Sequence, residues 1–346
     1  MSLLQLPAET LLQILDCAGS SFFCEKIARL TICKQWFQFA RLVCFKDLNL
    51  SQGTLQRMMR SWDAVDIRLI KDTMESLTLR LMGYEDSSAI PDQRWNLFRG
   101  GDDGRHTLTD WTATFEIDLK KLASLAQDCP KLRTVRIHAS SEVYPIIAQL
   151  PRHDYLTIPG IKPFLPVKNL TVLDLDLCGS SLLSHPGGHV PFHICPDIGA
   201  LLTVLRRLRL RMRRICADVL RPLDHESSLR LSEVIINLDL SEGPEIATAP
   251  PHSLSCNALD LNFLEMKTGL ETQAKILAAN MESPKIFRIL SHSIPKFELL
   301  SVDVLTGKHM LLTEDIYEHK PWDADGATIT DNSDAESESE ISSLST

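Results

Sequence analysis

The chain has 346 residues, of which 44% are hydrophobic, and its formal net charge is −9. This length and apolar content suffice for a large core, in one elongated repeat body or in roughly two or three ordinary domains. Proteins that neutralise phosphate backbones concentrate Lys and Arg, which this acidic balance argues against. No nucleic-acid partner is therefore expected.

The nine cysteines include no CxxC pair and form an odd total, which is typical of free thiols in a reducing compartment. The N-terminus has no basic region of the kind that begins a signal peptide, and no window approaches about 18 uninterrupted apolar residues. We therefore expect an intracellular protein of the cytoplasm or nucleus that has no membrane partner.

The first fifty residues show helical periodicity. Apolar residues recur at helical spacing from Leu11 to Ala18, after a proline at position 7 that suits a first helical turn. A second helical stretch, residues 24–44, carries two apolar stripes, more apolar surface than so short a segment can bury by itself. Periodicity alone leaves open whether these stripes pack on the rest of the chain or on a partner.

The order of residues in this segment resembles the F-box. Leu-Pro-x-Glu occupies residues 6–9, a Leu/Ile-rich helix follows to Leu15, and Ile-Cys-Lys-x-Trp occupies residues 32–36. The resemblance covers residues 3–48, and residues 16–25 depart from the family pattern. On these residues the chain resembles a fungal-type F-box protein, with a degenerate leucine-rich-repeat-like C-terminal body.

The resemblance implies that residues 1–48 form a small helical bundle that binds a Skp-type adaptor on a cullin-RING scaffold. The chain would then be a non-catalytic substrate-recognition subunit of an SCF-type E3 ubiquitin ligase, with an unknown protein substrate and without a cofactor. The adaptor-binding residues implied by the family pattern are Leu6, Pro7, Glu9, Leu11, Leu12, Ile14, Leu15, Leu30, Ile32, Cys33, Trp36 and Phe39.

Short segments of alternating leucines recur through residues 49–320, the predicted substrate-binding body. Alternate leucines of such strands point into a core, as in leucine-rich repeats. We therefore predict an α/β protein in which an irregular leucine-rich-repeat-like solenoid with parallel strands follows the helical F-box. An ordinary α/β domain with crossover helices is the alternative. The predicted strands are Phe45–Ser51, Leu77–Leu79, Leu132–Ile137, Leu170–Leu177, Leu205–Met212, Ile236–Leu240, Leu259–Leu261 and Leu300–Val304.

Two segments lack any period. Residues 83–111 are rich in Gly, Asp and Pro and are predicted to be a long inserted loop, whose Trp95, Phe98 and Trp111 fold back on the body. Residues 321–346 are acidic and poor in apolar residues, so a disordered tail is expected. Its Ser333 and Ser337 each precede an acid by three residues, a spacing that suits acid-directed kinases.

Alternation along one strand predicts a face of arginines, because Arg207, Arg209, Arg211 and Arg213 point the same way. Such a face can hold a phosphorylated or acidic peptide, but Asp174, Asp176 and Asp239 on neighbouring strands are expected to neutralise it. Toward the C-terminus, Asp239, Asp260 and Asp303 are predicted on the same face without basic residues in their own strands, which favours a basic target. The candidate substrate-facing residues are Arg207, Arg209, Arg211, Arg213, Asp239, Asp260 and Asp303.

The loop 185–195 contains three histidines and Cys195. A metal-binding HxxxH pair needs a helix, which the two Pro and two Gly of this loop prevent, so a connecting loop without a metal is expected. No common catalytic motif is present. Two alternatives to the ligase subunit remain: an interaction scaffold whose N-terminal helices cap the solenoid, and an α/β enzyme whose site is not visible in the sequence.

Overall fold

The computed structural model describes residues 6–83, 102–140, 155–180, 182, 193–224, 228–240, 252–256, 262–292, 299–312 and 327–328. Its helices are α1 (Ala8–Glu25), α2 (Lys34–Cys44), α3 (Gln52–Arg60), α4 (Ile67–Thr73), α5 (Asp102–Gln127), α6 (Ile158–Ile161), α7 (Cys195–Gly199) and α8 (Phe263–Ala279). Its strands are β1 (Asp47–Ser51), β2 (Ser76–Leu81), β3 (Thr134–Ala139), β4 (Val172–Leu177), β5 (Arg207–Met212), β6 (Arg214–Ile215), β7 (Glu233–Asn237), β8 (Leu254–Ser255), β9 (Ile286–His292), β10 (Leu299–Asp303), β11 (His309–Leu312) and β12 (Ala327–Thr328).

Local capping explains where several helices begin. The side chains of Cys33, Ser51, Asp66 and Asn262 each accept a hydrogen bond from the backbone N–H three residues later, which satisfies a donor that the first helical turn leaves unpaired. Within α1, Gly19 has a φ of +77°, which glycine adopts without strain, and the helix kinks there.

The protein is a mixed α/β structure with a mostly parallel sheet. Ten strands hydrogen-bond in the order β1-β2-β3-β4-β5-β7-β9-β10-β11-β12, so each strand pairs with those next to it in the chain once the two short strands β6 and β8 are set aside. Pairing is parallel from β1 to β9 and antiparallel from β9 to β12. The short strands form a separate parallel pair.

Apolar residues align in rows across the parallel strands. One row runs through Leu48, Leu77, Val135, Leu173, Leu208, Val234 and Phe287, and the next through Leu50, Leu79, Ile137, Leu175, Leu210, Ile236 and Ile289. These side chains belong to one large core that also contains the buried faces of α3, α5 and α8. Alternation along each strand thus sends one set of side chains toward the helices and leaves the other on a polar face.

The N-terminal helices have a core of their own. Leu11, Leu15, Phe23, Ala40 and Val43 are buried against one another, and none of them belongs to the large core of the sheet. Helices α1 and α2 thus lie within the predicted segment 1–48, strand β1 begins in its last two residues, and residues 1–5 lie outside the described residues.

The structure corrects the predicted strands at the C-terminal end. The prediction made all strands parallel, whereas β10, β11 and β12 run antiparallel. The strand predicted at 236–240 is β7, which begins earlier, at Glu233. The strand predicted at Leu259–Leu261 lies outside the described residues. Alternation does not reveal direction, because antiparallel and parallel strands share the same two-residue period.

Two segments predicted to be irregular contain regular structure. Helix α5 begins at Asp102, so the loop prediction for 83–111 is wrong over its last ten residues. Trp111 packs against the large core, with its ring centroid 6.3 Å from that of Tyr155, while Trp95 and Phe98 lie outside the described residues. In the predicted tail, Ala327 and Thr328 form β12, which pairs with β11, and residues 329–346, with Ser333 and Ser337, lie outside the described residues.

Within the described part of the chain, no helix combines the length and the apolar character needed to cross a membrane.

Candidate functional site

Four large apolar side chains of the N-terminal bundle face solvent. Ile32 is 63% exposed, Phe37 41%, Ile14 40% and Phe22 39%, although the bundle has only a small core of its own. The Phe22 ring carries the Arg29 guanidinium 4.3 Å from its centroid, which leaves the other three. Exposed apolar surface is unfavourable in water, and several such side chains on a small unit are typical of a binding surface. We call Ile14, Ile32 and Phe37 the exposed apolar residues of the bundle.

Several residues that the family pattern assigns to the adaptor pack within the bundle. Leu11 and Leu15 are 0% and 1% exposed in its core. The indole Nε1 of Trp36 donates a hydrogen bond to the Arg29 carbonyl at 2.6 Å, and the ring meets Phe23 edge-on at 6.4 Å. These side chains hold α1 against α2, so their loss would unfold the bundle before it tested any contact surface.

The other predicted adaptor residues divide by exposure. Pro7 and Glu9 are exposed, and the half-buried members are Leu6, Leu12, Leu30, Cys33 and Phe39. Phe37 was not among the predicted contacts, although it lies in one of the two apolar stripes of residues 24–44. Periodicity places a residue on a stripe but does not say which stripe stays uncovered.

The arginines of β5 are paired on the polar face of the sheet. The Glu233 carboxylate of β7 binds Arg207 Nε at 2.8 Å and Arg209 Nη2 at 2.6 Å. On the other side, the Asp176 carboxylate of β4 takes two hydrogen bonds from Arg211, at 2.8 and 2.6 Å. Cross-strand neutralisation of this face is therefore present, with Glu233 in the place predicted for Asp239.

Two further contacts complete this face. Arg213 Nε donates to the Cys178 carbonyl at 2.6 Å. Asp174 lies opposite Arg209 in the register, yet its buried Oδ1 has no hydrogen-bond partner among the described residues. Burial raises the pKa of the Asp174 carboxyl, against the nearby charges of His138, Arg209 and Arg136. The neighbouring positive charges thus offset only part of the cost of burying the Asp174 carboxylate.

The acidic residues predicted to face a basic target are engaged within the chain. Asp239 pairs with His292 Nε2 at 2.7 Å, and both side chains are buried. Asp303 accepts hydrogen bonds from the Leu305 N–H at 3.0 Å and the Thr306 hydroxyl at 2.6 Å, which shape the turn after β10. Asp260 lies outside the described residues. Asp239 and Asp303 are thus both held by partners within this chain.

One imidazole and three thiols form a cluster whose cysteines belong to the large core. The ligand atoms of His193, Cys195, Cys216 and Cys256 all lie within 4.8 Å of one another. Cys195 and Cys256 Sγ are 3.7 Å apart, and Cys216 Sγ is 3.8 Å from His193 Nδ1. Hereafter these four residues are called the thiol–imidazole cluster.

The short strands and α7 place the thiol–imidazole cluster. Strands β6 and β8 pair in register, with Ile215 opposite Ser255, so the next residues, Cys216 and Cys256, emerge side by side. Helix α7 carries Cys195 at its first position. The helix packs closely on the turn 217–220: a Cβ added at Gly199 would lie only 2.5 Å from two backbone carbonyl oxygens. The prediction for the loop 185–195 did not include Cys216 and Cys256, because both are distant from the loop in the sequence.

The three thiols differ in their electrostatic environment. Hydrogen bonds from the side chains of Cys195 and Cys256 lower the pKa of Cys216, whereas the pKa of Cys195 is raised by its hydrogen bond to Cys216 and by burial. All three are free cysteines that are at most 6% exposed. The arrangement thus favours the thiolate form of Cys216, with the thiols of Cys195 and Cys256 as hydrogen-bond donors.

A cleft of about 300 Å³ lies between α3 and α5. Its lining includes Asp118, Arg60 and Trp111, and burial raises the pKa of the Asp118 carboxyl. Thr114 also lines the cleft, and its hydroxyl donates a hydrogen bond to the Asp110 carbonyl at 2.9 Å.

Neither a family model nor a curated protein matches this chain. The F-box resemblance therefore rests on the residues of the chain itself.

Proposed function

We propose that this chain is a substrate-recognition subunit of an SCF-type ubiquitin ligase, which binds a Skp-type adaptor through its N-terminal bundle. The observation that carries the proposal is the exposure of Ile14, Ile32 and Phe37 on a bundle with its own core. This exposure occurs in the segment whose residue order is similar to the F-box. An adaptor that covers these side chains would remove them from water, which stabilises the complex by about 25 cal/mol per Å² of apolar surface buried.

For the body, we propose an irregular leucine-rich-repeat-like solenoid that positions the target protein. Two features support it: parallel strands that follow one another in chain order, and apolar rows that continue from strand to strand across the helix-facing core. A unit that contacts mainly its neighbours tolerates unequal lengths, as the unequal spacing of these strands requires. The antiparallel strands β10–β12 would then close the C-terminal end of the stack.

Such a subunit acts by holding its target beside an enzyme that other subunits supply. Tethering turns a bimolecular encounter into a nearly intramolecular one, so effective concentration provides the rate gain. No catalytic residue of this chain is needed.

Charge reversal at one exposed residue tests the adaptor contact. We expect Ile32→Glu to reduce co-purification with the Skp-type adaptor at least tenfold, because a buried unpaired carboxylate would oppose the complex. Leu264→Glu on α8 is the matched control, since Leu264 is 62% exposed and Ile32 63%. Circular dichroism should show both variants folded, and quantitative pull-down of the full chain measures binding.

Full adaptor binding by Ile32→Glu and also by Phe37→Glu would contradict the proposal. Equal loss in Leu264→Glu would show that the effect does not belong to the bundle.

A second candidate function is favoured by the contacts between the bundle and the first strand. Ser20 Oγ donates to Asp47 at 2.9 Å, and Lys46 Nζ donates to Asp16 at 2.7 Å. Strand β1 is the edge of the sheet, and a repeat body needs its edge covered. The helices would then cap an interaction scaffold that has no part in ubiquitin transfer.

A fusion experiment separates the two functions. Residues 1–50 joined to an unrelated carrier should capture the adaptor if they dock it. If the fusion captures none, and deletion of residues 1–44 makes the body aggregate, capping is the function that remains.

A further inference from the structure

We propose that His193, Cys195, Cys216 and Cys256 form a structural zinc site that clips together three successive connections of the sheet. The proposal is independent of the ubiquitin-ligase function. It concerns residues that the F-box resemblance does not involve, because that resemblance ends at residue 48.

The donor set is one that zinc prefers. Structural zinc sites use four thiolate or imidazole ligands in a tetrahedron, and a set of three cysteines and one histidine is among the common ones. Soft thiolates also select against Mg²⁺ and Ca²⁺, which take oxygen ligands. Four protein ligands close the coordination sphere, so the site has no open position for catalysis.

The distances match the edges of a zinc tetrahedron. With Zn–S bonds of about 2.3 Å and Zn–N bonds of about 2.05 Å, two sulfurs stand about 3.8 Å apart and a sulfur and a nitrogen about 3.6 Å apart. The observed separations are 3.7 Å for Cys195 Sγ to Cys256 Sγ and 3.8 Å for Cys216 Sγ to His193 Nδ1. No two ligand atoms are more than 4.8 Å apart, so about 1 Å of closure completes the tetrahedron.

A disulfide explains the thiol–imidazole cluster less well. A disulfide bond is about 2.05 Å long, and bonding any two of these thiols would leave the third thiol and the imidazole without a role. Simple apolar packing accounts for buried cysteines but not for the half-buried His193, whose Nδ1 is aimed at Cys216 Sγ. A single zinc ion uses all four groups.

The ligands come from places where the fold needs support. His193 and Cys195 lie in the connection from β4 to β5, Cys216 follows β5, and Cys256 lies in the connection from β7 to β9. Helix α7 has five residues, and β6 and β8 have two each, too short to be stable through their own hydrogen bonds. A zinc ion would tie them together, because metal binding contributes directly to folding.

Metal content of the full-length chain tests the proposal. Protein is purified under reducing conditions without a metal-affinity step. Inductively coupled plasma mass spectrometry should then find about one zinc ion per chain. Cys216→Ser and, separately, His193→Gln should lower zinc content at least tenfold. Cys129→Ala is the control and should keep its zinc, because Cys129 is a buried free cysteine whose Sγ donates to the Leu125 carbonyl outside the cluster.

Cobalt provides a second readout that does not depend on stability. Co²⁺ added to the reduced, metal-stripped chain should show the visible absorption of a tetrahedral thiolate site, and His193→Gln should change the spectrum while circular dichroism shows the variant folded. Chelation of zinc should lower the Tm of the wild-type chain but not that of Cys216→Ser.

Three results would each overturn the proposal. The first is a reduced wild-type chain that retains no zinc after incubation with ZnCl2 and dialysis. The second is equal zinc content in the cluster variants and in Cys129→Ala. The third is a Cys195–Cys256 disulfide in the freshly purified, metal-free protein, found by mass spectrometry without reduction.

Discussion

Glu233 shows how single charges decide what the polar face of the sheet can bind. Its side chain is 9% exposed and receives both Arg207 and Arg209. A buried carboxylate between two guanidinium groups is held by charge-assisted hydrogen bonds, and it occupies the positions that a phosphate or acidic peptide would need. The arginine face is therefore already filled by the protein's own acids.

Removing this carboxylate should cost stability. We expect Glu233→Gln to lower the free energy of unfolding by about 2 kcal/mol, because two partly buried guanidinium groups lose a charged partner. Urea denaturation measures the change. Asp128→Asn is the control: it breaks the Lys71–Asp128 pair, whose carboxylate is 58% exposed, and should cost less than about 0.5 kcal/mol. Equal losses in the two variants would contradict the special role of Glu233.

The arginine face could be predicted from the sequence, because alternation along a strand is a local property. Glu233 could not, because its place beside Arg207 depends on the register between β5 and β7. A shift of one residue would have sent its side chain to the other face.

At the scale of elements, α7 illustrates a helix that exists only through tertiary packing. Five residues cannot hold a helix in isolation, because nucleation costs more than so few hydrogen bonds return. Gly199 lets the end of α7 approach the turn 217–220, and Lys162 pairs with Asp197 at 2.9 Å. This close approach also sets the position of Cys195 relative to Cys216.

A methyl group at Gly199 should disrupt that approach. We expect Gly199→Ala to lower the free energy of unfolding by about 2 kcal/mol, because its Cβ would meet the carbonyl oxygens of Asp218 and Arg221 at 2.5 Å. Gly269→Ala is the matched control, since its Cβ would meet nothing within 4 Å on α8. The control should gain about 0.5–1 kcal/mol from higher helix propensity. Thermal or urea unfolding measures both, and a neutral Gly199→Ala would refute the packing argument.

The antiparallel end of the sheet belongs to the same scale. The sequence correctly indicated strands near Leu300–Val304, but β10 returns against β9 because its connection is short. Parallel neighbours need a crossover of a dozen or more residues, whereas antiparallel ones can follow a tight turn.

At the scale of the whole molecule, the described residues form two separate apolar cores. The bundle core contains five buried residues, and the sheet core is many times larger. Buried apolar area provides most of the driving force for folding, so the two units should differ in stability. If the bundle opens more readily than the body, a partner that binds only the folded bundle would stabilise it.

Hydrogen exchange should reveal this difference. We expect the amides of α1 and α2 to exchange through openings of lower free energy than those of β4, β5 and β7, because local opening follows local burial. Mass spectrometry of peptides from the intact chain measures both regions at once. Addition of the Skp-type adaptor should slow exchange in the bundle and leave the central strands unchanged. Identical exchange free energies in both regions would show instead that the chain unfolds as one unit.

The sequence by itself determined the features that depend on near neighbours along the chain. These are the amphipathic helices before residue 45, the alternating strands from β1 to β5, and the shared face of Arg207, Arg209 and Arg211. Only the tertiary structure decided which residues from distant segments meet. Glu233 reaches two arginines through strand register, and Cys216 and Cys256 join His193 and Cys195 through paired strands. In the bundle, Leu11 and Leu15 are buried whereas Ile32 and Phe37 stay exposed. Periodicity reports the face on which a side chain lies, but the partner on that face is set by long-range packing.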